Sequence, residues 1–409
     1  MSAISQRMAN VRACPILTIA QDIAGFKKQG KNIVDLSVGV PSFLPGQHVY
    51  DAASKALAAD SGCYGASKGD EALIRAYLAQ LAVDGIDLYG EENIVTGYGA
   101  KHLLFSVMFS LFNPGDELLL PAPYWPSYID IADLTGVKVA TLAAPVSADY
   151  KITPTQLEQA ISPQTKALLF NNPSNPTGAV YSKSEVAALA EVLAIHQIWL
   201  ITDDVYNRFV FEQTELSHLL HFEPQLAERL VKIDSLSKSY GMPGWRIGML
   251  AAPVELTNAV IALNSNSVSN IPQVVNQAAT AALEGPQTIH QTMCKVYQDK
   301  RDIVLNALAG YREIRCPKPQ GAFYVFPDIS GCYGRVFDGA VIADDVTFAG
   351  QLLSSEGVAV LPGRLFGEPN SIRISYTVEI ETLVEGLSRL GRFISQLQDP
   401  LTTAWMLPK

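Results

Sequence analysis

Lys238 closes the stretch Asp234-Ser235-Leu236-Ser237-Lys238, directly after the strand-like run Leu230–Ile233. A primary amine held at the end of a buried strand can condense with a carbonyl and, when released, carry a proton. Eight residues further (246 − 238 = 8) stands Arg246, inside Gly244-Trp245-Arg246-Ile247-Gly248, with a planar fork suited to an anion. Upstream, Asp203 and Asp204 follow the apolar run Trp199-Leu200-Ile201, so at least one acid reaches a strand end as well. Gly99-Ala100-Lys101 follows the run Asn93–Thr96 and opens a long helical stretch, where backbone N–H groups can meet an anion. Each feature alone has a plainer reading: a cap or solvated turn for the acids, a solvated side chain for the lysine, a packing device for the glycine turn. Together they put an amine, an acid and an anion cup at strand ends, the edge at which open α/β sheets bind ligands.

The elements that must position these groups are legible as an alternation. Short β-branched runs at Asn93–Thr96, Glu117–Leu120, Lys138–Leu142, Thr165–Asn171, Ile198–Thr202, Leu230–Ile233 and Ile247–Ala251 are separated by helical stretches. The pattern predicts an α/β fold with a mostly parallel central sheet flanked by helices. In Lys183–His196, apolar Val186, Leu189, Ala190 and Leu193 share one face, as in a sheet-covering helix. A second region, about 292–398, opens with a charged helical run through Lys295, Asp299, Lys300 and Arg301. It continues with strand-like pieces at Ala322–Phe326, Val358–Leu361 and Ser371–Tyr376. The expected organisation is a segment 1–49 packing with a smaller α+β domain at 292–398, a large α/β domain at 50–291, and a tail at 399–409.

The bulk numbers narrow the function. With 409 residues, 48% of them hydrophobic, the chain can bury large cores. A net charge of −10 argues against a nucleic-acid surface, which needs a cationic footprint. Cys14, Cys63, Cys294, Cys316 and Cys332 are scattered and never form a Cys-x-x-Cys pair, so neither a disulfide framework nor a metal site is expected. The first residues lack an apolar signal-like run, and apolar stretches such as Leu103–Phe112 fall short of the roughly 20 residues of a membrane span. A cytoplasmic protein without membrane or nucleic-acid partners is expected.

Further landmarks join these in chain order: Gly39-Val40-Pro41-Ser42-Phe43, Tyr64-Gly65, Pro123-Tyr124-Trp125, Asn171-Asn172-Pro173-Ser174-Asn175-Pro176-Thr177-Gly178, Asp203-Asp204-Val205-Tyr206 and Arg373-Ile374-Ser375. Over nearly the whole chain the series resembles the class I/II aminotransferases, aspartate aminotransferase-like enzymes of fold type I that use pyridoxal 5′-phosphate (PLP). The resemblance implies transfer of an amino group from an L-amino acid to a 2-oxo acid, through a Schiff base on Lys238 and a pyridoxamine form of the cofactor. It implies that Asp203 pairs with the pyridine nitrogen and that Asn175 and Tyr206 donate to the 3′-oxygen. Trp125 would stack on the ring, while Gly99, Ala100, the Lys101 backbone, Ser235, Ser237 and Arg246 would hold the phosphate. Arg373 would grip the substrate carboxylate beside Gly39 and Asn175. Tyr64 would reach the phosphate of a neighbouring subunit, which implies a homodimer with shared active sites.

The chain departs from the family at Val40 and Ser42, where an acid or glutamine and an aspartate are usual, and near Phe109, where some aspartate-preferring members carry a lysine. Those departures keep a second outcome open on the same cofactor, an elimination, cyclisation or other lyase reaction. The polar run Asn264–Asn270 reads either as a pocket wall across a dimer or as a solvated loop. A nicotinamide dehydrogenase fits less well, because no Gly-x-Gly-x-x-Gly opens a helix after an early strand.

Overall fold

The structure, a computed structural model, describes residues 8, 15–59, 62–212 and 214–399. The start of the chain with Cys14, and the expected tail from residue 400, lie outside the described residues. After a helix at Pro15–Lys28 comes β1 (Val34–Asp35). Seven strands then build the main sheet: β2 (Ile94–Gly97), β3 (Glu117–Ala122), β4 (Lys138–Ala143), β5 (Thr165–Asn171), β6 (Trp199–Asp203), β7 (Leu230–Ser235) and β8 (Gly248–Ala251). Their order is β2-β8-β7-β6-β5-β3-β4; all neighbours run parallel except β8, which is antiparallel to both β2 and β7.

Strand alternation sends successive residues to opposite faces, and both faces are covered. Leu168, Leu200 and Leu230 join one apolar cluster with Leu189 and Leu193, while Leu169, Ile201 and Val231 join another with Leu103, Leu104 and Val107. That double burial is why the central strands read as nearly unbroken apolar runs, whereas the edge strand β4 is mostly unburied. The helix Lys183–Ile195 buries Val186, Leu189, Ala190 and Leu193 as the spacing predicts, and Ser182 caps it by accepting the Glu185 N–H.

A separate apolar cluster gathers the second region. Its strands are β9 (Tyr324–Val325), the hairpin β10 (Val336–Phe337) and β11 (Ala340–Val341), β12 (Val358–Ala359), β13 (Leu361–Pro362) and β14 (Ile372–Ser375). β1 pairs parallel with β12, and Val34 and Leu36 pack into this cluster, whereas Val49 packs into the main one. The stretch Ala322–Phe326 contributes only two ladder residues because Ala322 has a left-handed backbone, φ 55°. Val358–Leu361 splits between two sheets, with β12 serving β1 and β13 serving β14. No helix among the described residues is long and apolar enough to cross a membrane.

Candidate active site

A cavity of about 610 Å³ opens at the carboxyl ends of β5, β6 and β7. Asp203 is the last residue of β6 and Ser235 the last of β7. The Ser235 hydroxyl donates to the Ile247 carbonyl (2.9 Å) and accepts the Ser237 N–H (3.1 Å), capping the one-turn helix Leu236–Ser239 that carries Lys238. Ser237 Oγ lies 2.8 Å from Ser235 Oγ. Lys238 points into the cavity, where its Nζ donates to the Gly39 carbonyl at 2.6 Å. Burial first, then the charges of Arg373 and Arg246, lower its pKa to about 8.

Asp203 is buried and receives the Tyr128 hydroxyl at 2.7 Å and, more weakly, the Val205 N–H at 3.4 Å. Burial lifts its pKa to about 6 against those hydrogen bonds. Among the described residues no cation forms an ion pair with it. Asp204 is treated quite differently: Lys232 Nζ stands 2.9 Å away and His218 Nε2 3.4 Å. Although burial pushes its pKa up, the Lys232 charge and the hydrogen bonds from its neighbours hold Asp204 well below the usual carboxylate range. A second cavity of about 590 Å³, lined by Asp204, His218 and Lys232, lies on that side and lacks Lys238.

The anion cup forms where β2 turns into the helix Ala100–Leu111. Gly99 has φ 81°, and a Cβ there would stand 2.7 Å from Arg246 Nη2, so the turn needs glycine twice over. Arg246, itself left-handed at φ 56°, is steered by the Pro243 carbonyl (2.9 Å from Nη1) and the Tyr98 carbonyl (3.0 Å from Nη2). Ala100 and Lys101 line the cavity, and the Lys101 ammonium lies 4.9 Å from the Trp125 ring centroid. Trp125 also lines it and meets the Tyr128 ring edge-on at 5.4 Å.

On the opposite wall Arg373 is buried, donating Nη1 to Asn175 Oδ1 (3.0 Å) and Nη2 to the Ser37 carbonyl (2.7 Å). Its Nε is buried without a hydrogen-bond partner. Asn175 is held from behind, its N–H donating to Asn171 Oδ1 at 2.8 Å. The hydroxyls of Tyr206 and Tyr324 are 2.9 Å apart.

Of the residues expected from sequence, Gly39, Ala100, Lys101, Trp125, Asn175, Asp203, Tyr206, Ser235, Ser237, Lys238, Arg246 and Arg373 all line this one cavity, with Gly99 against Arg246. Tyr64 does not: it is 91% exposed and outside the cavity of its own chain. Ser42 is spent on structure, its N–H donating to the Tyr297 hydroxyl at 3.0 Å, while Val40 is exposed. Phe109 is half-exposed and stacks on Phe105, outside the cavity. In the run 264–270, Asn264 is buried and donates to the Ser67 and Thr96 carbonyls, a bracing role.

Sequence reasoning missed Tyr128, Asn171 and Tyr324. Tyr128 stands three residues after Trp125, one helical turn away, a spacing that could have flagged it. Tyr324 becomes visible only with the ladder register: it pairs with Ser375, which makes Arg373 its diagonal neighbour on the same face.

The donor set fits PLP. A buried carboxylate without a cation calls for a positively charged ring nitrogen, because an uncompensated buried charge is costly. The glycine-lined turn with Arg246 suits a phosphate, and the lowered Lys238 pKa suits an amine that must attack an aldehyde.

Comparison with known proteins agrees. The family described as "Aminotransferase class I and II" matches residues 31–390. An aspartate/prephenate aminotransferase of Cereibacter sphaeroides is 39% identical, over 97% of this chain and 100% of that protein. An aspartate aminotransferase of Geobacillus stearothermophilus is 34% identical, over 96% and 98%. Among solved structures, the aspartate aminotransferase of Rhizobium meliloti superposes with TM-score 0.94 at 34% identity, covering 97% of this chain and 100% of that one. The Thermus thermophilus enzyme with maleate gives 0.89 at 29% identity, covering 96% and 100%. This chain therefore belongs to the class I and II aminotransferases, and it is a PLP-dependent enzyme of fold type I acting on an amino acid and a 2-oxo acid.

Proposed function

We propose that the enzyme takes the amino group of an acidic L-amino acid, aspartate first, and passes it to a 2-oxo acid, working as a cytoplasmic homodimer with shared active sites. The observation that carries the reading is one cavity holding three things: the buried Asp203 without a cationic partner, the Lys238 amine and the unpartnered Nε of Arg373. Bound PLP supplies an electrophilic carbonyl and a protonated ring that draws electrons from the substrate's α-carbon.

The chain's residues do the rest. Lys238 would anchor the cofactor through Nζ, and its amine, with a pKa lowered to about 8, would serve as the base that takes the proton from the substrate's α-carbon. Asp203 keeps the ring nitrogen protonated; unit charges about 3 Å apart attract by roughly 5 kcal/mol at an effective dielectric near 20. Tyr206 and Asn175 donate to the 3′-oxygen. Ser235, Ser237, Arg246 and the amides after Gly99 hold the phosphate, and Trp125 covers the ring. Arg373 orients the α-carboxylate with Asn175 and Gly39.

Aspartate is favoured by the names of the relatives and by the maleate, a dicarboxylate, in the Thermus structure. Phe109 lies outside the cavity and offers it no cation, whereas Lys101, two turns earlier on the same helix, lines the cavity and brings an ammonium to Trp125 that can meet a distal carboxylate. The Ser42 hydroxyl lies 3.4 Å from that of Tyr297, against the small-domain core rather than in the cavity.

The test is an absorbance scan with L-aspartate and then 2-oxoglutarate. A visible band lost with aspartate and restored by the oxo acid supports the reading. A band that recovers without an acceptor points to elimination, and one that ignores aspartate but answers another amino acid removes the substrate assignment.

A further inference from the structure

The four-sided contact of Tyr324 is unexplained by the roles above. The residue is 1% exposed. Its hydroxyl lies 2.9 Å from that of Tyr206, the Arg373 guanidinium lies 4.4 Å from its ring centroid, and Phe323 packs at 4.8 Å. On the fourth side is Gly39: a Cβ there would sit 2.2 Å from the Tyr324 oxygen and 3.1 Å from Cζ. Gly39 is not left-handed, so what its missing side chain provides is room for this hydroxyl.

We propose that Tyr324 is a positioning residue that ties the cofactor-side hydroxyl of Tyr206 to the carboxylate corner made by Arg373 and Gly39. The argument is one of proton count. A tyrosine hydroxyl has one proton to give. If Tyr206 donates into the cavity, the 2.9 Å contact between the hydroxyls must run from Tyr324 to Tyr206. That bond polarises the Tyr206 hydroxyl and strengthens its outward donation. The same ring fixes the plane of Arg373 through a cation–π contact, and its hydroxyl sets how near the Gly39 backbone can come. One side chain thus couples the two ends of the cavity.

The inference rests on the proposed roles of Tyr206 and Arg373. Tyr206→Phe, which must itself raise the midpoint described next, separates failure of the Tyr206 role from failure of the inference, and two further variants test the inference. The first is Tyr324→Phe in the PLP-loaded enzyme, read as the pH midpoint of the cofactor's visible band. Weaker donation from Tyr206 moves that midpoint to higher pH by a few tenths of a unit. The second is Gly39→Ala alone and combined with Tyr324→Phe, read as succinate binding through the change in the same band. Gly39→Ala alone weakens succinate about 10-fold or more, because the new methyl meets the tyrosine oxygen inside a packed wall. In the double variant that oxygen is gone, the nearest ring carbon needs to yield only slightly, and most of the loss is recovered. An unchanged midpoint in Tyr324→Phe overturns the link to Tyr206. Additive losses in the double variant overturn the link to Gly39. A wild-type enzyme with no visible band at any pH removes the proposed function itself.

Discussion

Asp203 and Asp204 are neighbours in sequence and opposites in environment. Asp204 has Lys232 and His218, while among the described residues the Asp203 carboxylate has the Tyr128 hydroxyl and an amide. In cofactor-free protein Asp203 therefore holds its proton up to about pH 6. The linkage sign is that of an acid whose folded pKa is raised: its contribution is full below its ordinary pKa near 4 and is lost as pH climbs through 6. The wild-type apoprotein should lose roughly 3 kcal/mol relative to Asp203→Asn across that window, read by denaturant unfolding at each pH. A constant difference would place a cation beside Asp203. Lys238 gives a second residue-scale prediction. With its pKa near 8, the rate of PLP capture by apoprotein should rise about 10-fold per pH unit below 8 and level off above it. A rate still climbing at pH 10 would mean an ordinary, solvated amine. Lys238→Ala should cut turnover by at least about 10³-fold while leaving the fold intact, measured by assay and circular dichroism.

The elements explain both what could be read from sequence and what could not. The β2-to-helix turn was legible because glycine there meets two demands, a positive φ and the approach of Arg246. Gly99→Ala should weaken PLP binding about 10-fold or more, measured by fluorescence titration of the apoprotein, because a Cβ costs backbone strain and displaces the guanidinium. The central main-sheet strands were legible because burial on both faces makes them apolar runs ended by polar residues, as at Ala167–Asn171. Strand order was not, since β8, the last strand of the sheet in the chain, pairs with β2, the first, across a long stretch of sequence. Tyr324 was hidden because nothing local in Ala322–Phe326 shows that β9 lies beside β14 in the register that brings it to Arg373. Val40 and Ser42 read as departures of chemistry, and at Ser42 the hydroxyl of Tyr297 supplies a packing reason instead.

At the scale of the whole molecule the exposed Tyr64 is the test of assembly. If it completes a neighbour's phosphate site, subunits carrying Lys238→Ala and Tyr64→Ala should rescue each other. Random exchange gives half hybrid dimers, each with one site holding both wild-type residues, so activity should rise toward about a quarter of wild type. Failure to rise would confine each site to one chain. The molecule's long-range connections also set when the site can exist at all. Arg373 reaches back 336 positions to the Ser37 carbonyl, and β1 has no partner until β12 is made. On the ribosome, strands β2 to β8 with Lys238 emerge while the segment bearing Gly39 still has no sheet to join. A nascent chain can thus hold the amine long before it can choose an amino acid, and selectivity arrives only once β12 to β14 have emerged.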